Sequence, residues 1–197
     1  MNTPIKVTAS FVTSLARPGP FPGQGLPEVA MVGRSNVGKS SLINGLTGSR
    51  LARTSSEPGR TRLINVFLLN DRVHLIDLPG YGFARVSRDE KARWAAMIES
   101  YLTGAQHLKL AAMLVDVRHA PTGDDVAMAG YLRHYNIPFF VAATKADKLS
   151  RAAVSRSVPV ICRALAVQPW DVVPFSSTTL AGRDEVLSRV LAVTGDA

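Results

Sequence analysis

Gly33-Arg34-Ser35-Asn36-Val37-Gly38-Lys39-Ser40 decides how the rest of the chain is read. The stretch fits Gly-x-x-x-x-Gly-Lys-Ser, the phosphate-binding loop. Its glycines let the backbone wrap a phosphate closely. The loop N–H groups then form an anion nest at the start of a helix. Lys39 brings a positive charge to the β- and γ-phosphates, and the Ser40 hydroxyl is placed to ligate Mg²⁺. Upstream, Glu28–Val32 is a short, mostly apolar run that predicts a buried strand. Downstream, Ser41–Leu46 has helical apolar spacing. Strand, glycine loop and helix in that order are the context that separates the motif from a Gly-rich turn.

On the N-terminal side, residues 17–27 hold four prolines and three glycines and forbid regular structure. The expected organisation is an N-terminal segment and Pro/Gly-rich connector over 1–26, then a nucleotide-binding domain over 27–197. Ile5–Val12 alternates loosely and either adds an edge strand or packs on the surface. On the C-terminal side, Leu63–Leu69 and Val73–Asp77 are strand-like runs separated by Asn70-Asp71-Arg72, a hairpin signal for antiparallel strands. Leu110–Asp116 and Pro138–Thr144 are continuous apolar runs, typical of strands buried on both faces. Val172–Phe175 is a last strand. Helices are expected over 88–103, 124–135, 150–166 and 182–193, the first with Trp94, Met97, Ile98, Tyr101 and Leu102 as its apolar stripe. The alternation predicts a three-layer α/β/α fold around a six-stranded, mostly parallel sheet with one antiparallel hairpin strand.

Composition bounds the rest. The 197 residues are 46% hydrophobic and 19% charged, which suits one globular domain. No apolar run approaches a membrane span, and Met1–Lys6 lacks the layout of a signal peptide. Cys162 is the single cysteine, so no internal disulfide forms; a reducing, cytoplasmic setting fits. It is read as a small buried hydrophobe. The net charge of +8, from 23 basic and 15 acidic residues, favours a polyanionic partner such as RNA or DNA, with solubility as the alternative.

Three further stretches carry chemistry. Asp77-Leu78-Pro79-Gly80 ends a strand, where ligands of nucleotide-binding α/β folds sit. Asp77 is placed to hold Mg²⁺ through a water, and the Gly80 N–H to meet a γ-phosphate. Thr144-Lys145-Ala146-Asp147 follows another buried strand and fits the [Asn/Thr]-Lys-x-Asp motif that selects GTP over ATP. Guanine offers N1–H and an N2 amino group side by side, and one carboxylate accepts from both. Adenine leaves that carboxylate unpaired, so two charge-assisted bonds discriminate roughly 10²- to 10⁴-fold. The stem of Lys145 can lie over the base. In Ser176-Ser177-Thr178, after the last strand, a backbone N–H would meet guanine O6. Between the phosphate loop and Asp77, the polar segment 55–62 can bring Thr61 onto Mg²⁺ when a γ-phosphate is present.

With four motifs in GTPase order, the chain resembles translation-factor-related P-loop GTPases, and more closely the EngB (YihA/YsxC) family. The resemblance rests on Gly-Arg-Ser-Asn-Val-Gly-Lys-Ser-Ser-Leu-Ile-Asn (33–44), Pro-Gly-Arg-Thr (58–61), Ile-Asn (64–65), Asp-Leu-Pro-Gly-Tyr-Gly-Phe-Ala (77–84), Asp-Val-Arg-His (116–119) and Thr-Lys-Ala-Asp-Lys-Leu (144–149). It implies a Mg²⁺-dependent GTP/GDP switch in assembly of the large (50S) ribosomal subunit, associated with normal cell division and septation. A monomer is expected, with the subunit or its rRNA as partner and no membrane. The alternative is a nucleotide-gated RNA- or ribosome-binding module with negligible hydrolysis; an ATP-using kinase is disfavoured by Asp147. Besides the loop residues, the resemblance implies nucleotide contacts at Gly59, Arg60, Thr61, Arg62, Leu63, Asp77, Leu78, Pro79, Gly80, Thr144, Lys145, Ala146, Asp147, Ser176, Ser177 and Thr178. Metal ligation is assigned to Ser40, Thr61 and Asp77, and catalysis to Lys39, Thr61, Gly80 and Asn36. Two departures stand out: Arg62 where the family has Gln, and Ala105 where it has Arg.

Tyr81 occupies the position where Ras-type GTPases use a Gln to orient the attacking water. It cannot do that job, so slow intrinsic hydrolysis is expected unless a partner or ion helps. Asn36 stands where K⁺-activated GTPases hold that ion; simple loop hydrogen bonding is the other reading of this residue.

Overall fold

Asn70 and Asp71 turn the chain back on itself with φ of 50° and 53°. Positive φ at both central residues is the type I′ sign, here within a three-residue connection of Asn70, Asp71 and Arg72. The Arg72 N–H closes it onto the Leu69 carbonyl at 3.0 Å. The turn joins β3 (Ile64–Leu69) to β4 (Val73–Asp77), which pair antiparallel as expected. The computed structural model describes residues 5–21, 25–52, 63–82 and 88–195.

The remaining strands are β1 (Ala9–Leu15), β2 (Glu28–Gly33), β5 (Leu108–Asp116), β6 (Phe139–Thr144) and β7 (Val172–Pro174). They form one seven-stranded sheet in the order β1-β3-β4-β2-β5-β6-β7. The expectation of six strands is therefore corrected to seven. The added strand comes from the alternating N-terminal segment: β1 pairs antiparallel with β3, covering an edge that the hairpin would leave open. Its end is tied down by the Thr8 N–H to Asn70 Oδ1 at 2.8 Å, and Phe11 packs edge-on to Phe67. β4, β2, β5, β6 and β7 are mutually parallel.

Parallel strands need helical crossovers. α2 (Arg88–Gly104), α3 (Gly123–His134) and α4 (Arg151–Leu165) are those crossovers; α1 (Lys39–Thr47) leads from β2 into the hairpin, and α5 (Arg183–Leu191) follows β7. Each residue of β2 is buried because both faces are covered. Val29 and Met31 face a core with Leu42, Ile43 and Leu46 of α1 and Val186, Leu187 and Val190 of α5. Ala30 and Val32 face a second core with Ile98, Tyr101 and Leu102 of α2, Ala129 and Leu132 of α3, and Ile161, Cys162 and Leu165 of α4. Cys162 is thus the small buried hydrophobe expected of it. The side chain of Trp94 lies outside the described residues. Burying one of these leucines or isoleucines contributes about 1.5–3 kcal/mol.

Parallel direction also brings strand ends together. Met31 pairs with Asp77 and Asp116 with Thr144, so the C-terminal ends of β2, β4, β5 and β6 share one edge. At the opposite edge, Glu28 and His74 sit side by side, both buried. Tyr101 of α2 donates a hydrogen bond to Glu28 Oε2.

Candidate functional site

The phosphate loop bridges β2 and α1 along the C-terminal edge of the sheet. Gly33 is required by close approach: a Cβ there would stand 2.9 Å from Val37 Cγ1 and 3.0 Å from the Leu114 carbonyl oxygen. Gly38 is required by its φ of 113°. Lys39 opens α1 at 8% exposure, its Nζ donating to the Gly33 carbonyl at 3.3 Å. Ser40 lies in the first turn of the same helix.

Asp77, at the end of β4, is 2% exposed. Burial pushes its carboxyl up, while nearby Lys39 and a hydrogen bond from Asn65 oppose the rise. Burial likewise pushes the Lys39 amine down, with Asp77 opposing. Asn65 belongs to a polar row across three strands: Ser14 of β1, Asn65 of β3 and Asp77 of β4 are in register. The Ser14 hydroxyl donates to Asn65 Oδ1 at 2.7 Å. This leaves Asp77 Oδ1 buried without a hydrogen-bond partner. An orphaned carboxylate oxygen beside a lysine, with the Ser40 hydroxyl on the adjacent helix, is a donor set that fits a hard, hydrated cation such as Mg²⁺. Of the neighbouring nominations, Gly80 is buried, and Leu78 and Pro79 are buried too. Leu78 sends its side chain into the core, so only its backbone is available to a ligand. Gly59, Arg60, Thr61 and Arg62 lie outside the described residues. Leu63, the described member of that set, is 40% exposed just ahead of β3.

The loops after β5, β6 and β7 form the other end of the site. Thr144 is buried, and its hydroxyl donates to the Val37 carbonyl at 2.6 Å, pinning the strand end to the phosphate loop. Lys145 adopts φ 62°, a left-handed state that non-glycine residues rarely take. Its Nζ reaches back to the Asn36 carbonyl at 2.9 Å and to Asp116 Oδ2 at 2.9 Å. Ala146 packs partly against the core. Asp147 Oδ1 accepts the Ser176 hydroxyl at 2.8 Å, and its other oxygen pairs with Lys148 at 3.0 Å. Hydrogen bonds from Lys148 and Ser176 hold the Asp147 carboxyl below its ordinary value, so it is ready to accept.

Ser176 is fully buried, and its Oγ accepts the N–H groups of Thr178 and Thr179 at 3.2 and 3.1 Å. Its own N–H goes to the Ala181 carbonyl at 3.1 Å. Among the described residues, the Ser177 N–H has no such engagement, which narrows the expected O6 donor in this triplet to one group.

Four contributors escaped the sequence reading of roles. Asp116, ending β5, binds the Arg118 guanidinium through two contacts at 2.9 and 2.7 Å as well as Lys145. Asn65 orients Asp77. Asp125 receives the Tyr81 hydroxyl at 3.0 Å, and Thr122 fixes Asp125 through its N–H and hydroxyl, each at 2.8 Å. Thr122-x-x-Asp125 is a legible helix-start signature, and Asp116 ends a buried strand just as Asp77 does. The distant partners, Tyr81 for Asp125 and Lys145 for Asp116, could not be read from local spacing.

Comparison with known proteins agrees with this geometry. Residues 28–145 match the family described as 50S ribosome-binding GTPase. The chain is 48% identical over 189 residues to the "Probable GTP-binding protein EngB" of Bacillus subtilis, covering 94% of this chain and 97% of that one. It is 46% identical over 187 residues to the protein of the same name from an Exiguobacterium species, covering 94% and 95%. Among solved structures, a probable GTP-binding protein engB superposes with a TM-score of 0.73 at 27% identity, over 86% of this chain and 100% of that chain. Aquifex aeolicus Era bound to GDP.AlF4- superposes with a TM-score of 0.70 at 22% identity, over 85% and 56%, a likeness of fold.

Proposed function

The chain belongs to the EngB family of GTP-binding proteins, a 50S ribosome-binding GTPase family, and from that premise we propose that it is a Mg²⁺-dependent GTPase that engages the large ribosomal subunit in its GTP state and releases it as GDP. The observation that carries this reading is one edge of the sheet with two chemically distinct ends. Lys39 and the unpartnered Asp77 oxygen suit a triphosphate and its cation. Asp147, steadied by Ser176, suits the N1–H and N2 amino group of guanine, with the Ser177 N–H toward O6.

Ser40 and, through water, Asp77 would hold Mg²⁺, with Thr61 joining them in the triphosphate state. When bound, the ion would neutralise charge building on the phosphate oxygens. Lys39 contributes its charge to the same oxygens, and the Gly80 N–H supplies a donor toward the γ-phosphate. The Tyr81 hydroxyl is committed to Asp125, so nothing in that position orients the attacking water, which supports slow hydrolysis by the chain alone. The same observation favours a second reading, a nucleotide-gated binding module whose hydrolysis is negligible. Single-turnover hydrolysis with and without ribosomal subunits separates the two: no stimulation by subunits favours the module.

The polyanionic partner is supported by charge. Arg151, Arg156 and Arg163 are exposed on α4, and none has an ion pair among the described residues. We place the protein in the cytoplasm as a monomer, with any effect on division and septation following from subunit supply. No helix among the described residues is long and apolar enough to cross a membrane. The test is co-sedimentation with large ribosomal subunits in GTP-analogue and GDP states across a salt series. Binding should be stronger with the analogue and weaken with salt; binding indifferent to the nucleotide would refute the switch.

A further inference from the structure

Tyr81 directly follows Asp77-Leu78-Pro79-Gly80 and is tied at three points. Its carbonyl accepts the Ser35 N–H at 2.9 Å, and its N–H donates to the Gly33 carbonyl at 3.3 Å. Its hydroxyl donates to Asp125 Oδ1 at 3.0 Å. Asp125 is 3% exposed, and its second oxygen is held by the Thr122 N–H and hydroxyl. The segment between these ties has no slack. A Cβ on Gly80 would lie 2.8 Å from the Ser35 nitrogen and 3.0 Å from Lys39 Nζ. A Cβ on Gly82 would lie 2.9 Å from Asp124 Oδ2 and 3.2 Å from Arg34 Nε, a buried nitrogen without a partner. Gly80 and Tyr81 therefore lie across the mouth of the phosphate loop, against the lysine that takes the outer phosphates. Burial, reinforced by the Asp125 carboxylate, pushes the Tyr81 hydroxyl well above its ordinary pKa, so it remains a donor at any working pH.

A diphosphate and a triphosphate ask different things of this segment. Two phosphates are satisfied by the loop N–H groups and Lys39. A third would extend toward Gly80, which already stands against Ser35 and Lys39, and would press Gly80 and Tyr81 to shift away from them. A tyrosine anchored on α3 resists that shift. A ligand moves such an equilibrium only by its differential affinity for the two arrangements.

We propose that the hydrogen bond from Tyr81 to Asp125 is a restraint that disfavours the triphosphate relative to the diphosphate, which makes Asp125 a positioning residue acting through Tyr81. The inference rests on the guanine-nucleotide reading of the site. The test measures dissociation constants of the full chain for GDP and for a non-hydrolysable GTP analogue at fixed Mg²⁺. Tyr81→Phe removes the donor alone and should shift the affinity ratio toward the triphosphate by about tenfold, the effect of losing one hydrogen bond to a charged acceptor, with GDP affinity held within about twofold. Asp125→Ala should shift it in the same direction. Thr122→Val damages the α3 cap but keeps the N–H that holds Asp125; it should lower Tm and leave the ratio unchanged. An unchanged ratio in Tyr81→Phe, or an equal shift in Thr122→Val, overturns the restraint. Should Asp125→Ala fail to fold, Tyr81→Phe decides alone. A wild-type chain that binds neither nucleotide overturns the functional reading instead.

Discussion

Replacing Asp116 with Asn asks whether the carboxylate at the end of β5 sets the lysine of the guanine end. Lys145 holds an unfavourable backbone state, and its Nζ is bridged between Asp116 Oδ2 and the Asn36 carbonyl, each at 2.9 Å. Burial pushes the Asp116 carboxyl up, but hydrogen bonds from Arg118 and Lys145 outweigh it and hold the group well below the usual carboxylate range. Asp116 is therefore ionised throughout the neutral range. A charge-assisted bond contributes about 1.5–3 kcal/mol when buried. The side chains of Lys145 and Asp116 are 31% and 18% exposed, so solvent screening reduces the pair to about 1 kcal/mol. That corresponds to a roughly fivefold loss of affinity. On the proposed reading the lysine serves the base and not the phosphates, so GDP and a GTP analogue should weaken equally, and equally at pH 6 and pH 8. The assay is isothermal titration of Asp116→Asn, Lys145→Met and the double variant with both nucleotides. If Asp116 acts through Lys145, the double variant binds no worse than Lys145→Met. Wild-type affinity in Asp116→Asn, or additive losses in the double variant, would refute the reasoning.

Other consequences are equally measurable. Burial lowers the pKa of His74 below 6.5, and neither ring nitrogen has a hydrogen-bond partner. The unfolded chain then takes up a proton first, so the stability held above pH 6.5 is lost as pH falls through the folded value. His74→Leu should flatten the decline of Tm between about pH 7 and pH 5.5; an unaltered slope counts against it. Arg183 donates to the carbonyls of Gly45 and Leu46 in the last turn of α1 and to that of Ile5. Its side chain is 14% exposed, so Arg183→Ala should cost about 2–4 kcal/mol in denaturant unfolding; a loss under about 0.5 kcal/mol would show these carbonyls to be satisfied by water. Asn36, exposed within the phosphate loop, is the residue we propose for K⁺ stimulation. Turnover should rise in K⁺ over Na⁺ and lose that difference in Asn36→Ala, and equal rates in the two salts would rule the ion out.

What the sequence made legible was local. The phosphate loop, the hairpin at Asn70-Asp71 and the apolar runs of β2, β5 and β6 each carry their signal within a few residues, because turn chemistry and burial on both faces constrain neighbouring positions. β1 was ambiguous for the opposite reason: an edge strand is half exposed, so its alternation is weak until β3 supplies a partner. The site divides the same way. Lys39, Asp77 and Asp147 could be nominated because each belongs to a short contiguous motif at or just after a strand end. The groups that orient them, Asn65 for Asp77, Ser176 for Asp147 and Asp116 for Lys145, meet them only through sheet register and loop convergence. Their residue types carry no distinctive signal. Leu78 shows what a contiguous motif leaves open: its side chain packs in the core, so only its backbone can face a ligand.

The row Ser14, Asn65 and Asp77 gives the N-terminal strand a bearing on protein preparation. Ser14 engages the Asn65 amide oxygen, and Asn65 in turn steadies Asp77. Trimming the chain to the phosphate-loop domain would leave Asn65 free to rotate its amide and present the wrong group to Asp77. Such a fragment would keep every recognised nucleotide motif and still present Asp77 differently from the intact chain. The shortest faithful version of this protein therefore begins well before the first motif that identifies it.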